Sequence, residues 1–130
     1  MQNWGFSLYL YKPTEQMETP QKTPAELFAA QALASQVKKE LTENILPYWM
    51  GKMINPDGGF YGRIDGLENL DPESPVGNIM TARMLWTFAS AYRLLGNQEY
   101  LDMALRAKDF IISNFYDPEL GGTYWSLSSD

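Results

Sequence analysis

NIMTARMLWTFASAYRLL, residues 78–95, carries only two charges, Arg83 and Arg93. On an α-helix of 3.6 residues per turn, Met80, Met84, Leu85, Trp86, Phe88, Tyr92 and Leu94 fall all round the axis. A helix that is apolar on every side is expected to be buried on every side. Trp86 and the methionines accordingly read as core. Arg83 is expected either to line a cavity or, as the safer expectation, to pair with a carboxylate, because an unpaired buried charge is costly.

The stretches on either side have a different pattern. Upstream, "TPAE" opens a helix with Thr23 as N-cap, Pro24 in the first helical position and Glu26 closing a capping box. Its apolar residues Ala30, Leu33, Val37, Leu41 and Tyr48 keep to one stripe, and Lys38, Lys39, Glu40 and Glu43 lie off it. Pro47 should kink this helix near its end, because proline has no N–H and clashes with the preceding turn. Downstream, Gly96 suits a helix stop and Asn97 a helix start. Glu99, Asp102, Arg106 and Asp109 then form a polar stripe, and Tyr100, Ala104, Ala107 and Ile111 an apolar one. The order is amphipathic, buried, amphipathic.

That order predicts an all-α chain of about three helices, alternating between outer and inner positions of an α/α solenoid or closed ring. The outer-to-inner link, residues 54–77, is long and glycine-rich, whereas the inner-to-outer link "LGNQ" is tight. Long links then gather on one face, where such scaffolds place binding residues. One long link contains NPDGGFYGRIDG, residues 55–66, and a weaker copy, DPELGGTYWSLSSD, occupies residues 117–130. Gly58-Gly59 and Gly121-Gly122 are 63 residues apart, a fitting length for one helical hairpin with its loop. Six such units would make a ring of about 380 residues.

Composition narrows the function classes. The 130 residues are one domain's worth of chain or less, with 45% apolar content to build a core. A net charge of −6 argues against a nucleic-acid or anionic-membrane surface. There is no cysteine, which excludes disulfides, thiolate metal sites and cysteine nucleophiles. There is no histidine either, which removes the commonest general base and the commonest metal ligand. No apolar run approaches the ~20 residues of a membrane span. The start, "MQNWGFSLYLYKP", lacks a basic region and a small-residue cleavage site, so a cytoplasmic location is expected. Residues 1–23 read as a tail or linker, with Met17 an alternative start, and residues 24–130 as the helical domain.

Three stretches together resemble the N-acylglucosamine 2-epimerase superfamily, and within it the cellobiose 2-epimerase branch. They are "ELTENILPYWMGKMINPDGGFYGRIDG" (40–66), "ARMLWTFASAYRLLGNQEYLDMALRAKDFI" (82–111) and "DPELGGTYWSL" (117–127). The resemblance implies an (α/α)6 barrel of twelve helices, of which this chain is the N-terminal part. It implies a mono- or disaccharide bound in the central cavity; no metal or cofactor is expected. The implied reaction inverts C2 of a reducing sugar by removing and returning a proton through an enediolate; related members isomerise aldoses to ketoses.

Under that resemblance the arginine of the "GGFYGR" loop, Arg63, is a catalytic-site residue, and Tyr124 and Trp125 line the cavity. Physical chemistry agrees with the residue types. Flat rings such as Tyr61, Tyr124 and Trp125 suit the C–H faces of sugars, and a guanidinium suits the oxyanion of an enediolate. A plainer reading stands beside it, in which the glycine pairs serve tight turns and the aromatic residues Phe60, Tyr61, Tyr124 and Trp125 are lids over helix ends. Asp57, Asp65 and Asp117 are expected to cap loops rather than act as acids or bases.

The resemblance places the acid/base histidines on later helices, and this chain has none. The expectation is therefore an N-terminal fragment, inactive alone, that self-associates through the uncovered side of its inner helix. Two other classes remain open: a non-catalytic helical binding module, marked by a second helix with a wet face, and a glycoside hydrolase on the same ring. The hydrolase requires a pair of carboxylic acids that nothing in the sequence marks.

Overall fold

A computed structural model describes residues 21–128. They form α1 (Pro24–Glu40), a π-helical turn (Leu41–Ile45), α2 (Leu46–Lys52), β1 (Arg63–Ile64), β2 (Leu70–Asp71) and β3 (Val76–Gly77). There follow α3 (Asn78–Leu95), α4 (Gln98–Phe110), a second π-helical turn (Ile111–Phe115) and β4 (Ser126–Leu127). The tail expected over residues 1–23 lies, apart from its last three residues, outside the described part.

The described residues divide into two units, the first ending at Gln36 and the second beginning at Val37. In the first, the capping box forms as expected. The Thr23 amide donates to Glu26 Oε2 at 2.7 Å and the Glu26 amide to Thr23 Oγ1 at 3.3 Å, so two orphan N–H groups of the helix start are satisfied reciprocally. None of Pro24–Glu40 is buried. The apolar stripe drawn from Ala30 to Tyr48 therefore buries surface only from Leu41 onward, where Leu41 is half-buried against the core. Pro47 also acts differently from the expected kink. The turn before it widens, with the Leu46 amide reaching back to Leu41 O, and Pro47 then opens α2 as a fresh helix start.

In the second unit α3 ends at Gly96, whose φ of 72° and amide bond to Tyr92 O (2.8 Å) make a left-handed cap. Asn97 caps α4 by accepting the Glu99 amide at 3.0 Å. The two-residue link folds α3 and α4 into an antiparallel hairpin. The core lies between them and α2. Leu46, Met53 and Phe60 meet Met84, Phe88 and Ala91 of α3 and Tyr100, Met103, Ala104 and Ala107 of α4.

One expectation fails here. Helix α3 is not enclosed: Thr81, Met84, Phe88 and Ala91 are buried, but Ile79 is exposed, Trp86 is 73% exposed and Leu94 80%. The partners present cover a single face, and Trp86 is surface, not core. Arg83 is likewise exposed and has no carboxylate partner among the described residues. It lines an apolar groove with Ile45, Trp49, Met80 and Thr87.

Candidate functional site

The first glycine loop is a hairpin closed by an isolated bridge between Ile54 and Phe60. The Asn55 amide donates to Gly59 O (3.4 Å), the Gly58 amide to Asn55 O (3.1 Å) and the Tyr61 amide to Met53 O (2.9 Å). Gly58 and Gly59 take φ of 124° and 59°, left-handed backbone that side chains rarely adopt. Gly59 has a second reason to be glycine, since a Cβ there would lie 2.5 Å from the Phe110 ring of α4. Arg106, one turn before Phe110, donates its Nε to Gly59 O at 2.8 Å and its Nη2 to Asn55 O. The guanidinium thus bridges both carbonyls of the loop. Phe60 is fully buried in the core, not a lid.

The backbone then runs outward into β1, which pairs antiparallel with β2 in the register Arg63↔Asp71 and Ile64↔Leu70. The connecting turn is tied by Asp65, whose Oδ1 accepts the Leu67 and Asn69 amides and whose Oδ2 accepts Asn69 Nδ2, all within 2.9 Å. These bonds, the side-chain bond from Asn69 foremost, hold the Asp65 carboxyl below its ordinary value. Glu68 closes the turn with φ 64° and pairs with Lys52 of α2 at 2.9 Å. Arg63 is exposed and lines a cleft of about 270 Å³ with Asp65, Asn69, Leu70, Asp71 and Pro72.

Tyr61 faces a separate, larger cleft of about 530 Å³, bordered by Asn55, Asp57, Glu73, Ser74, Phe110 and Asn114. Pro72 belongs to both clefts, and Leu127 of β4 forms part of the larger one.

The second glycine loop repeats the first bond for bond. Tyr116 bridges Thr123, the Asp117 amide donates to Gly122 O (3.2 Å), the Gly121 amide to Asp117 O (3.0 Å) and the Tyr124 amide to Phe115 O (2.8 Å). Gly121 and Gly122 again have positive φ, 74° and 83°. Asp117 Oδ1 accepts the Glu119 and Leu120 amides, which hold its carboxyl below the ordinary value, the Leu120 bond foremost. This loop is tied to the start of α3 by the β3–β4 pair, Val76↔Leu127 and Gly77↔Ser126. Asn78 adds three bonds: its amide to Trp125 O (2.9 Å) and its Nδ2 to Thr123 Oγ1 (2.8 Å) and Tyr124 O (3.1 Å). Tyr124 is 49% and Trp125 76% exposed.

The four residues read from the sequence are therefore presented on loop arms but not gathered. Tyr61 and Arg63 line different clefts, and Tyr124 and Trp125 line neither of these. Asp65 and Asp117 do cap turns, as expected. Hydrogen-bonded and anionic, they are poorly suited to taking a proton near neutrality. Among the described residues no three carboxylates converge to hold a metal ion. Sequence reading missed Arg106 and Asn78, which position the two loops. Arg106 sat unremarkably on the polar stripe of α4, and Asn78 is one polar residue at a helix start; only the fold brings each to its loop.

Comparison with known proteins supplies the remaining context. Residues 59–130 match the family model described as N-acylglucosamine 2-epimerase (GlcNAc 2-epimerase). A cellobiose 2-epimerase of Bacteroides fragilis is 56% identical over 97 residues, 74% of this chain and 25% of that protein. A cellobiose 2-epimerase of Ruminococcus albus is 42% identical over 96 residues, 73% of this chain and 24% of its own. The solved cellobiose 2-epimerase of Spirochaeta thermophila superposes with a TM-score of 0.73 at 37% identity, over 82% of this chain and 26% of that one. The chain thus spans about a quarter of the length of the relatives it matches, and its helices are a portion of an (α/α)6 barrel. By the family match over residues 59–130 and its identity to these relatives, the chain belongs to the N-acylglucosamine 2-epimerase family.

Proposed function

We propose that this chain is part of a sugar 2-epimerase of the cellobiose 2-epimerase type. The observation that carries the reading is 56% identity to such an enzyme over 97 residues. In this reading Arg63 supports the developing enediolate oxygen with its guanidinium. Tyr61, Tyr124 and Trp125 offer ring faces to the sugar. The proton shuttle comes from elsewhere in the enzyme, because the 130 residues contain no histidine and Asp65 and Asp117 are stabilised as anions. The 130-residue polypeptide alone is therefore expected to show no turnover of cellobiose, N-acylglucosamine or mannose.

The binding-module alternative called for a second helix with a wet face. Helix α3 does have an exposed face, on which Arg83 and Arg93 stand beside Ala82, Ile79, Trp86 and Leu94; three large apolar side chains on one face suit a helix awaiting cover better than a finished module.

A chimera tests the proposal. The matching portion of the Bacteroides fragilis enzyme is replaced by residues 33–127 of this chain, and cellobiose epimerisation is followed together with C2 proton exchange into deuterated water. The chimera should be active, and Arg63→Ala should lower kcat by about 100-fold or more, as loss of an oxyanion donor does. A folded chimera that neither epimerises nor exchanges the C2 proton would sink the reading.

A further inference from the structure

The two glycine hairpins share three closing backbone bonds, residue for residue: Asn55–Gly59 with Asp117–Gly122, Gly58–Asn55 with Gly121–Asp117, and Tyr61–Met53 with Tyr124–Phe115. They differ in what lies against them. In the first, Asn55 O and Gly59 O each accept one backbone amide and one nitrogen of the Arg106 guanidinium, and the Phe110 ring lies on Gly59. In the second, Asp117 O and Gly122 O accept the same two backbone amides. A carbonyl oxygen takes two hydrogen bonds, so among the described residues each has one acceptor position left. Gly121 and Gly122 are exposed, with no atom within 4 Å of where a Cβ would stand, and the neighbouring Leu120 is 89% exposed.

We propose that the carbonyl pair Asp117 O and Gly122 O, with the bare face of Gly121-Gly122, is a docking site for a helix that presents an arginine and, four residues on, an aromatic ring. The first hairpin shows the occupied form of the same device. A planar guanidinium spans two carbonyls held at a fixed spacing, which an ammonium does not do, and a ring on a glycine pair needs the missing Cβ. The Asp117 and Glu119 carboxylates beside the second pair add attraction for a cation. Of the four arginines, Arg63, Arg83, Arg93 and Arg106, only Arg106 has an aromatic residue at the fourth position after it. It is engaged with the first hairpin. The occupant is therefore a helix other than those described here. The second hairpin is one residue longer, in Glu119-Leu120, so its Gly121–Asp117 bond spans four residues where Gly58–Asn55 spans three, while the outer bonds pair the corresponding residues.

The test uses the intact 130-residue chain, labelled with ¹⁵N, and an α4 peptide of residues 98–115. A hydrocarbon staple across positions 98 and 102, both exposed in the chain, holds the peptide helical. The expected result is saturable shifts at the Asp117, Gly121 and Gly122 amides. The same stapled peptide carrying Arg106→Ala should bind at least tenfold more weakly, and Arg106→Lys should resemble it more than the parent. Equal binding of parent and Arg106→Ala peptides, no shift over residues 117–122, or shifts confined to Asn55–Gly59 would each overturn the proposal.

Discussion

At the scale of single residues, paired positions in the two hairpins separate two reasons for glycine. Gly59 has positive φ and the Phe110 ring against it, whereas Gly121 has positive φ and open space. Gly121→Ala should cost about 1 kcal/mol, the penalty of left-handed backbone for a side chain. Gly59→Ala adds overpacking against a ring and should cost about 2–4 kcal/mol. Urea unfolding of the two variants measures the difference, and equal losses would contradict the packing assigned to Phe110. Asp117 offers a second residue-scale outcome. Its carboxyl lies below the ordinary 3.8 in the folded chain. Its contribution is therefore complete above the unfolded value and is lost as pH falls through the folded one. Amide shifts of Glu119 and Leu120 followed from about pH 5 downward should report that loss. Asp117→Asn, which keeps an acceptor but not the titration, should flatten the profile.

At the scale of elements, the sequence was legible where local chemistry alone decides. The Thr23–Glu26 capping box, the Gly96 stop and the Asn97 start stand where their side chains place them. The bounds of α3 also follow from its pattern. What was not legible depends on contacts between distant segments. Nothing in the pattern of α4 shows that Arg106 reaches back to Asn55 and Gly59. Nothing at Asn78 shows that it will meet Thr123 and Tyr124. Apolar content likewise does not reveal whether a covering partner is present, so the pattern of α3 predicts enclosure where the structure covers one face. Asn78 makes the sharpest element-scale prediction. Asn78→Ala removes two side-chain bonds but leaves its backbone bond to Trp125 O. The second hairpin should then loosen by about 1–2 kcal/mol, seen as faster amide exchange at Gly77 and Tyr124, with α4 amides unchanged. Uniform acceleration throughout would mean that Asn78 supports the whole fold rather than this junction.

At the scale of the whole molecule, Ile79, Trp86 and Leu94 are large apolar side chains left exposed on α3. Large exposed apolar side chains on one helix face favour association, although Arg83 and Arg93 stand among them. The net charge of −6 opposes it through repulsion between copies. Arg83 and Arg93, exposed on the same helix, reverse that sign locally and would attract the acidic surface of a second chain. Light scattering should therefore show a mass above that of one chain, rising with concentration. Trp86→Glu should restore a single-chain mass. Because Trp86 is 73% exposed and outside the core, that substitution should shift Tm by no more than about 2 °C, in keeping with a surface change. Leu94→Glu, on the same face, should act in the same direction. If the parent chain is a single copy at every concentration, the apolar face of α3 does not drive association. If Trp86→Glu unfolds the protein instead, Trp86 belongs to the fold and the exposed-face argument fails with it.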